Sequence, residues 1–228
     1  MNKLRIYSLF PRCQLWGTFY GIMQAMSNVA TPKKKDIEVE FRARFPKKKY
    51  DVLVRFLRKH AKDLGADDKR VWFFVMPDKL LKVTHNISSR SGKITLKLTK
   101  IGLGSHFKEI EFPIAENSIL SAVDLFMGLG HAYLFEPTIL RHNYLYKGVE
   151  VALKYSKTWG YHLELEVLIG SLKEKAPAEK KIERVAAALG VKTMSEKELW
   201  EFTQRIEKSY VNPKNSRKIA IICPKPIN

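Results

Sequence analysis

The feature that most constrains this chain is an alternation in its strand-like segments, apolar on one face and charged in pairs on the other. Adjacent residues of a strand point to opposite sides of a sheet. Over 37–44, Ile37, Val39, Phe41 and Ala43 share one face, and Glu38, Glu40, Arg42 and Arg44 share the other. Over 107–114, Ile110 and Phe112 oppose Glu109 and Glu111; over 161–169, Leu163, Leu165 and Val167 oppose Glu164 and Glu166. Over 93–100, Ile94, Leu96 and Leu98 oppose Thr95, Lys97 and Thr99, and over 149–157, Val149, Val151 and Leu153 oppose Glu150, Ala152 and Lys154. Carboxylates at i, i+2 on neighbouring strands repel one another unless counter-charge separates them. Such faces make sense where lysines and arginines interleave with the acids and a divalent cation sits among them. A salt-bridged outer face of an open sheet explains one Glu-x-Glu, but three of them point to a functional interior.

The apolar faces then need cover, and helical periodicity supplies it. Tyr50, Leu53, Val54, Leu57, Ala61 and Leu64 recur at helical spacing within 46–64, with Gly65 at the stop. Further helices are expected from Asn117 or Ser118 to about Gly128, over 177–189, and from a capping box at Ser195 and Glu198 to about Lys208. Strand-like segments also lie at 70–76, 80–86 and 138–146. The expected fold is α+β: a closed antiparallel eight-stranded β-barrel, a tunnel with a polar interior, covered by peripheral helices. A barrel of that size holds side chains or one small ligand, and closure removes the sheet edges. Trp72, Phe73 and Phe74 read as core residues rather than a base-stacking platform. His85, His106, His131, His142 and His162 show no ligand spacing and read as surface or packing residues.

Composition narrows the partners. With 45% hydrophobic residues a packed core is affordable and disorder is excluded as the default. Cys13 and Cys223 are too few for a disulfide framework, which fits a reducing, cytoplasmic setting. No apolar run reaches the ~20 residues of a membrane span, so no membrane partner is expected. The formal net charge is +18. Residues 1–35 and 211–228 carry basic side chains and no acid, so all 23 acids lie between them. The expected organisation is an N-terminal extension, 1–35, flexible or partly helical; a tunnel domain, 36–210; and a basic C-terminal tail, 211–228. The basic balance suits an anionic partner. Nucleic acid is possible but not favoured, because readers of single strands place stacking aromatics where this chain places carboxylates.

At these residues the chain resembles the CYTH superfamily, the triphosphate tunnel metalloenzymes. That family includes class IV adenylyl cyclases and thiamine, inorganic and fungal RNA triphosphatases. Its opening Glu-x-Glu-x-Lys strand corresponds to Glu38-Val39-Glu40-Phe41-Arg42. The later motifs correspond to Leu81-Lys82-Val83-Thr84, Thr95-Leu96-Lys97, Glu109-Ile110-Glu111 and Ile139-Leu140-Arg141, then Glu164-Leu165-Glu166 after Trp159-Gly160. The resemblance implies a Mg²⁺ or Mn²⁺ on Glu38, Glu40 and Glu166, all-oxygen ligation that suits hard cations. It implies phosphate binding by Arg42, Lys82, Lys97 and Arg141, with Lys154 as a further candidate and Arg44 and Lys108 as secondary ones. It casts Glu111 and Glu164 as catalytic, one of them orienting the attacking water. The implied activity is metal-dependent hydrolysis of a small triphosphate-containing molecule: inorganic tripolyphosphate, a nucleoside triphosphate or thiamine triphosphate. The alternatives are a class IV-type cyclase and a non-catalytic polyphosphate or nucleotide binder. His106-Phe107-Lys108 is a faint echo of the cyclase His-Phe-x-Gly-Arg loop without its Gly-Arg. The chain departs from the family pattern at Thr84 (a second Arg of the basic strand), at Ile139 (the Lys of Lys-x-Arg) and at Lys154 (an Asp). The first two loosen the grip on phosphate. The third bears on a second metal ion, although Lys154 could itself hold phosphate.

Overall fold

Along most of the sheet the apolar side turns outward beneath helices in the computed structural model, which describes residues 37–102 and 104–211, whereas Ile110 and Phe112 stay exposed. In chain order come β1 (Ile37–Arg44), α1 (Lys47–His60), β2 (Lys62–Ala66), β3 (Lys69–Val75), β4 (Leu80–Asn86) and β5 (Ser91–Lys97). Next are β6 (His106–Phe107), β7 (Glu109–Ile114), α2 (Ile119–Gly128), β8 (Tyr133–Tyr146), β9 (Val149–Ser156), β10 (Gly160–Ile169), α3 (Lys175–Ala188) and α4 (Glu196–Val211). The expected extension, 1–35, lies outside the described residues. So does all of the expected tail, 211–228, except Val211, which ends α4. No helix among the described residues is long and apolar enough to cross a membrane.

All strand pairs are antiparallel, and the sheet runs β6-β1-β10-β9-β8-β3-β4-β5-β7, with β2 set aside on β8. The fold is therefore α+β, as expected, but a closed eight-stranded barrel is not what forms. Among the described residues the sheet has ten strands and curls into an open half-barrel. The reason lies at Lys108. The stretch 106–114 pairs with β1 through His106 opposite Val39, and with β5 through Glu109 opposite Lys97. Its two pieces sit at opposite ends of the sheet order, joined by one residue of chain and not by a ladder of their own.

Two elements differ from the periodicity. The first helix ends at His60, where Ala61 turns extended and Arg58, Lys59 and His60 face the negative end of the helix dipole. Lys62–Ala66 then pairs with β8, and the register shifts between Asp63 and Gly65, whose φ is +92°. Leu64, which completed the apparent helical stripe, is half-exposed in that strand. The second is β8, which begins at Tyr133 and runs through Pro137. Its register against β3 jumps between Ile139 and Glu136, so the proline sits at an irregularity where its missing N–H breaks no ladder bond.

One apolar cluster packs Val39, Leu153, Leu163 and Leu165 beneath Leu53 and Leu57 of α1 and Ile182 and Val185 of α3. The other packs Trp72, Phe74, Leu81 and Val83 beneath Ile119 and Val123 of α2. Trp72 and Phe74 are thus core, whereas Phe73 faces the opposite side. The capping box of α4 forms: the Ser195 N–H donates to Glu198 Oε2 at 2.7 Å, and the Glu198 N–H donates to Ser195 Oγ at 3.2 Å. This helix docks on the loop after β5. A Cβ on Gly102, where φ is +95°, would lie 2.7 Å from the Trp200 backbone. Gly102→Ala is expected to cost more than about 1 kcal/mol in urea unfolding, through both the backbone strain and the clash; an unchanged midpoint would reject that docking.

Candidate phosphate and metal site

The register brings the charged residues onto one inner face. Glu40 lies opposite Glu166 and Arg42 opposite Glu164 on β1 and β10. Glu166 faces Glu150, and His162 faces Lys154, on β9. Arg141 of β8 faces Lys154. On the other wall Lys97 faces Glu109, while Thr95 faces Glu111 on one side and Lys82 on the other. All of these except Thr95 line one cavity of about 270 Å³. Glu38, Glu40, Arg42, Lys82, Lys97, Glu111, Arg141, Lys154, Glu164 and Glu166 all reach it, as do Thr84 and Ile139 at two of the departures from the family pattern. Arg44 and Lys108 do not line it. Arg44 instead donates through Nε to the Trp159 carbonyl at 2.9 Å and lies over the Phe202 ring.

Two ion clusters occupy the face. Around Glu164 stand Lys154 at 2.8 Å, Arg42 at 3.1 Å and Arg141 at 3.8 Å. Burial opposes ionisation of Glu164, yet Lys154, Arg42 and Arg141 outweigh it and hold this carboxyl well below the usual range. Arg42 also reaches Glu40 at 2.5 Å, and Arg141 reaches Glu150 at 3.1 Å. The second cluster centres on Lys97, which is 3.3 Å from Glu38 and 3.8 Å from Glu40 and pairs with Glu109. Burial works against the charge on Lys97, but Glu40, Glu38 and Glu109 more than offset it and raise its pKa.

Charge is left over on both sides. Burial, then the proximity of Glu38, Glu40 and Glu150, pushes Glu166 up to about 8. Burial also raises Glu38, with Lys97 opposing and Glu109 and Glu40 adding to the rise. Burial, then Lys97, brings Lys82 down to about 8, and no carboxylate among the described residues lies within salt-bridge distance of it. Burial likewise brings Lys154 to about 8 against the pull of Glu164. A lysine with a lowered pKa and no ion-pair partner is poised to gain from an incoming anion. A carboxylate held protonated by burial and by acidic neighbours is poised to gain from an incoming cation.

No group of three or more histidine, cysteine or acidic side chains among the described residues already converges at metal-binding distance. The donor chemistry nonetheless fits a hard divalent ion. Glu38, Glu40 and Glu166 offer only carboxylate oxygens and lie close enough to raise Glu166. The ammonium of Lys97 is the charge now between Glu38 and Glu40.

Several cavity residues escaped the sequence reading. His162 has the parity of Glu164 and Glu166, so its place was legible, but its residue type had assigned it to packing. It is buried, and its Nδ1–H donates to the Gly160 carbonyl at 2.9 Å. Burial and then Lys154 bring it down to about 3, so the ring is neutral and presents Nε2 as an acceptor. Lys69 and Glu136 lie just outside the expected strand limits. Lys93 pairs with Glu111, and Trp159, read as part of a turn, lines the cavity.

The CYTH domain family matches residues 36–198 of the chain. Three solved structures share the fold. The PH1819 protein of Pyrococcus horikoshii has a TM-score of 0.57 at 22% identity, covering 72% of this chain and 97% of its own. The PH1012 protein of the same organism has 0.56 at 24%, covering 71% and 99%. A conserved hypothetical protein of Pyrococcus furiosus has 0.55 at 23%, covering 68% and 91%. No curated protein sequence matches. With the family match spanning most of its length and the charged inner face in register, the chain belongs to the CYTH domain family.

Proposed function

We propose that this chain is a divalent-metal-dependent phosphohydrolase acting on a triphosphate-containing substrate. The observation that carries this reading is a single cavity holding a set of mutually repelling carboxylates, Glu38, Glu40 and Glu166, beside the cations Arg42, Lys82, Lys97, Arg141 and Lys154. Phosphoryl transfer asks mainly for positioning and charge neutralisation, and such a cavity offers both. A Mg²⁺ or Mn²⁺ held by Glu38, Glu40 and Glu166 would supply Lewis-acid neutralisation at phosphate oxygens.

The remaining work falls to the chain's own side chains. Arg42 and Arg141 now share Glu164 and can exchange that carboxylate for phosphate oxygens, each with a fork suited to two parallel hydrogen bonds. Lys154 sits on the same carboxylate and can follow them, so the residue that departs from the family pattern joins the anion grip. Lys82 receives phosphate without giving up an ion pair. Of the two carboxylates suited to orienting water, Glu164 is committed to three cations. Among the described residues Glu111 is paired with Lys93 alone, which makes it the freer to take that role.

The test is phosphate release from tripolyphosphate, ATP and thiamine triphosphate, with Mg²⁺ or Mn²⁺ present or removed by chelator, while cyclic nucleotide is followed in parallel. Release that requires the metal and disappears in Glu40→Gln is the expected result. Cyclic nucleotide with pyrophosphate would establish a cyclase instead. Saturable binding with no turnover under any metal would make the protein a polyphosphate binder.

A further inference from the structure

Glu136 is a carboxyl that the phosphate grip described above leaves unused. Its side chain lines the charged cavity at 2% exposure, and neither of its oxygens has a hydrogen-bond partner among the described residues. Buried polar atoms in folded proteins are nearly always paired, so a carboxyl left open toward a cavity points to a ligand atom. Register fixes where it stands. β8 and β9 pair Leu145 with Glu150, Arg141 with Lys154 and Ile139 with Ser156, and Glu136 comes next along β8. It therefore lies on the far side of the Arg141–Lys154 rung from Glu150, which itself faces Glu166. A phosphate string held at Arg141 and Lys154, with one end toward Glu166, has its other end toward Glu136.

Little charge acts on this carboxyl. Val71 is opposite it on β3. Burial is the main influence and raises it to about 7, while the Thr158 backbone and Lys157, in the turn after β9, oppose the rise weakly. The other charges on the neighbouring elements are engaged: Lys69 of β3 with Asp67, Arg141 of β8 and Lys154 of β9 with Glu164, and Glu207 of α4 with Lys100. His162 of β10 is neutral. An ionised Glu136 would repel a phosphate string and would have given up its hydration for nothing. A protonated one carries an O–H donor, and a charged phosphate oxygen is a strong acceptor for it. We infer that Glu136 is a further phosphate-binding residue, donating a hydrogen bond from its protonated carboxyl to an oxygen of the bound phosphate string. The proton comes from solvent and stays on the carboxyl, and no bond of the substrate breaks in the step. The inference rests on the phosphate reading of the cavity and adds to it a donor that is lost as pH rises.

The experiment titrates the methylene-bridged analogue of tripolyphosphate, which cannot be hydrolysed, into the parent chain, Glu136→Gln and Glu136→Ala with Mg²⁺ present, at pH 6 and pH 8. Calorimetry in two buffers of different ionisation enthalpy reads the proton uptake, and a melting curve confirms that each variant is folded. Glutamine keeps a donor and has no proton to lose; alanine has no donor. A carboxyl that titrates near 7 when empty and stays protonated when filled costs about tenfold in affinity between pH 6 and pH 8. The parent is therefore expected to lose about tenfold more affinity than Glu136→Gln over that range, and to take up close to one proton more at pH 8. Lys82 and Lys154, which also gain protons from an incoming anion, and Glu166, which yields one to an incoming cation, contribute alike to both proteins. Glu136→Ala is expected to bind about fivefold more weakly than the parent at pH 6. Parallel pH dependences in the parent and Glu136→Gln would overturn the inference and leave the triphosphatase reading standing. So would a Glu136→Ala chain that binds as tightly as the parent at pH 6, since the carboxyl would then be a repelling charge and not a donor. A parent chain that binds no analogue at either pH overturns the phosphate reading itself, and the inference with it.

Discussion

Lys97→Met is expected to unfold with roughly 3–5 kcal/mol less stability than the parent chain in chelator-treated buffer, with most of that loss recovered when Mg²⁺ or Mn²⁺ is added. Methionine keeps much of the lysine stem's packing, so the change isolates the charge. Lys97 is 4% exposed and is the cation shared by Glu38, Glu40 and Glu109. Without it three acids face each other in a half-barrel, with Glu166 alongside already pushed up to about 8. Removing one member of a buried ion cluster leaves the others uncompensated, and that is costlier than never having built the cluster. The divalent cation proposed on Glu38, Glu40 and Glu166 would replace the lost charge, and a ligand that binds only the folded state adds stability by mass action. The measurement is a urea denaturation series with chelator and with each metal. A variant that loses stability but ignores metal would place the cation elsewhere. A variant that loses nothing would mean the acids do not converge.

How far the site was legible depends on what sets each position. Parity along a strand is local, so Glu38, Glu40 and Arg42, and likewise Glu164 and Glu166, could be assigned to one face from spacing alone, and the two strands indeed pair with Glu40 opposite Glu166 and Arg42 opposite Glu164. The direction of that face was legible too, because the apolar parity of β1, β9 and β10 needed helices and the helical stripes of α1 and α3 were there to meet it. Closure was not legible. It turns on whether β6 and β7 pair, and two residues at His106–Phe107 carry no periodicity to read. Nor was β2, where Leu64 extended a helical stripe by coincidence and pairing to β8 decided the outcome. Lys154 was legible as an inward cation, but its partner Glu164 lies on the next strand and only the register makes them neighbours. Glu136 was lost to Pro137, which marked a strand start that the irregular ladder carries straight through.

Glu136 supplies the second large effect, in the pH dependence of stability. Its side chain sits on the cavity wall at 2% exposure, and no lysine, arginine or histidine among the described residues lies within ion-pairing distance. Burial raises its carboxyl from the ordinary 4.5 to about 7, against weaker opposition from the Thr158 backbone and Lys157. The unfolded chain releases this proton near pH 4.5, whereas the folded chain keeps it to about 7. Between those values the folded state binds more protons, so stability is fully present below the unfolded pKa and is lost as pH rises through the folded one. Glu164 and Glu109, both lowered, act in the opposite sense and only as pH falls below their ordinary range. Lys82 and Lys154, lowered to about 8, add a slope of the opposite sign at the upper end of this window, and that slope is common to the parent and Glu136→Gln. Glu166, raised to about 8, contributes a slope of the same sign that remains when Glu136 is changed. Glu136→Gln keeps the shape of the side chain and has no proton to lose. It is therefore expected to flatten the fall in stability between pH 5 and 8 by close to one proton, and to leave the variant on the order of 2–3 kcal/mol more stable than the parent at pH 8. Urea midpoints at pH 5, 6, 7 and 8 measure it. Parallel curves for the two proteins would mean that Glu136 ionises at its ordinary pH, and hence that the wall of the cavity beside it is wet.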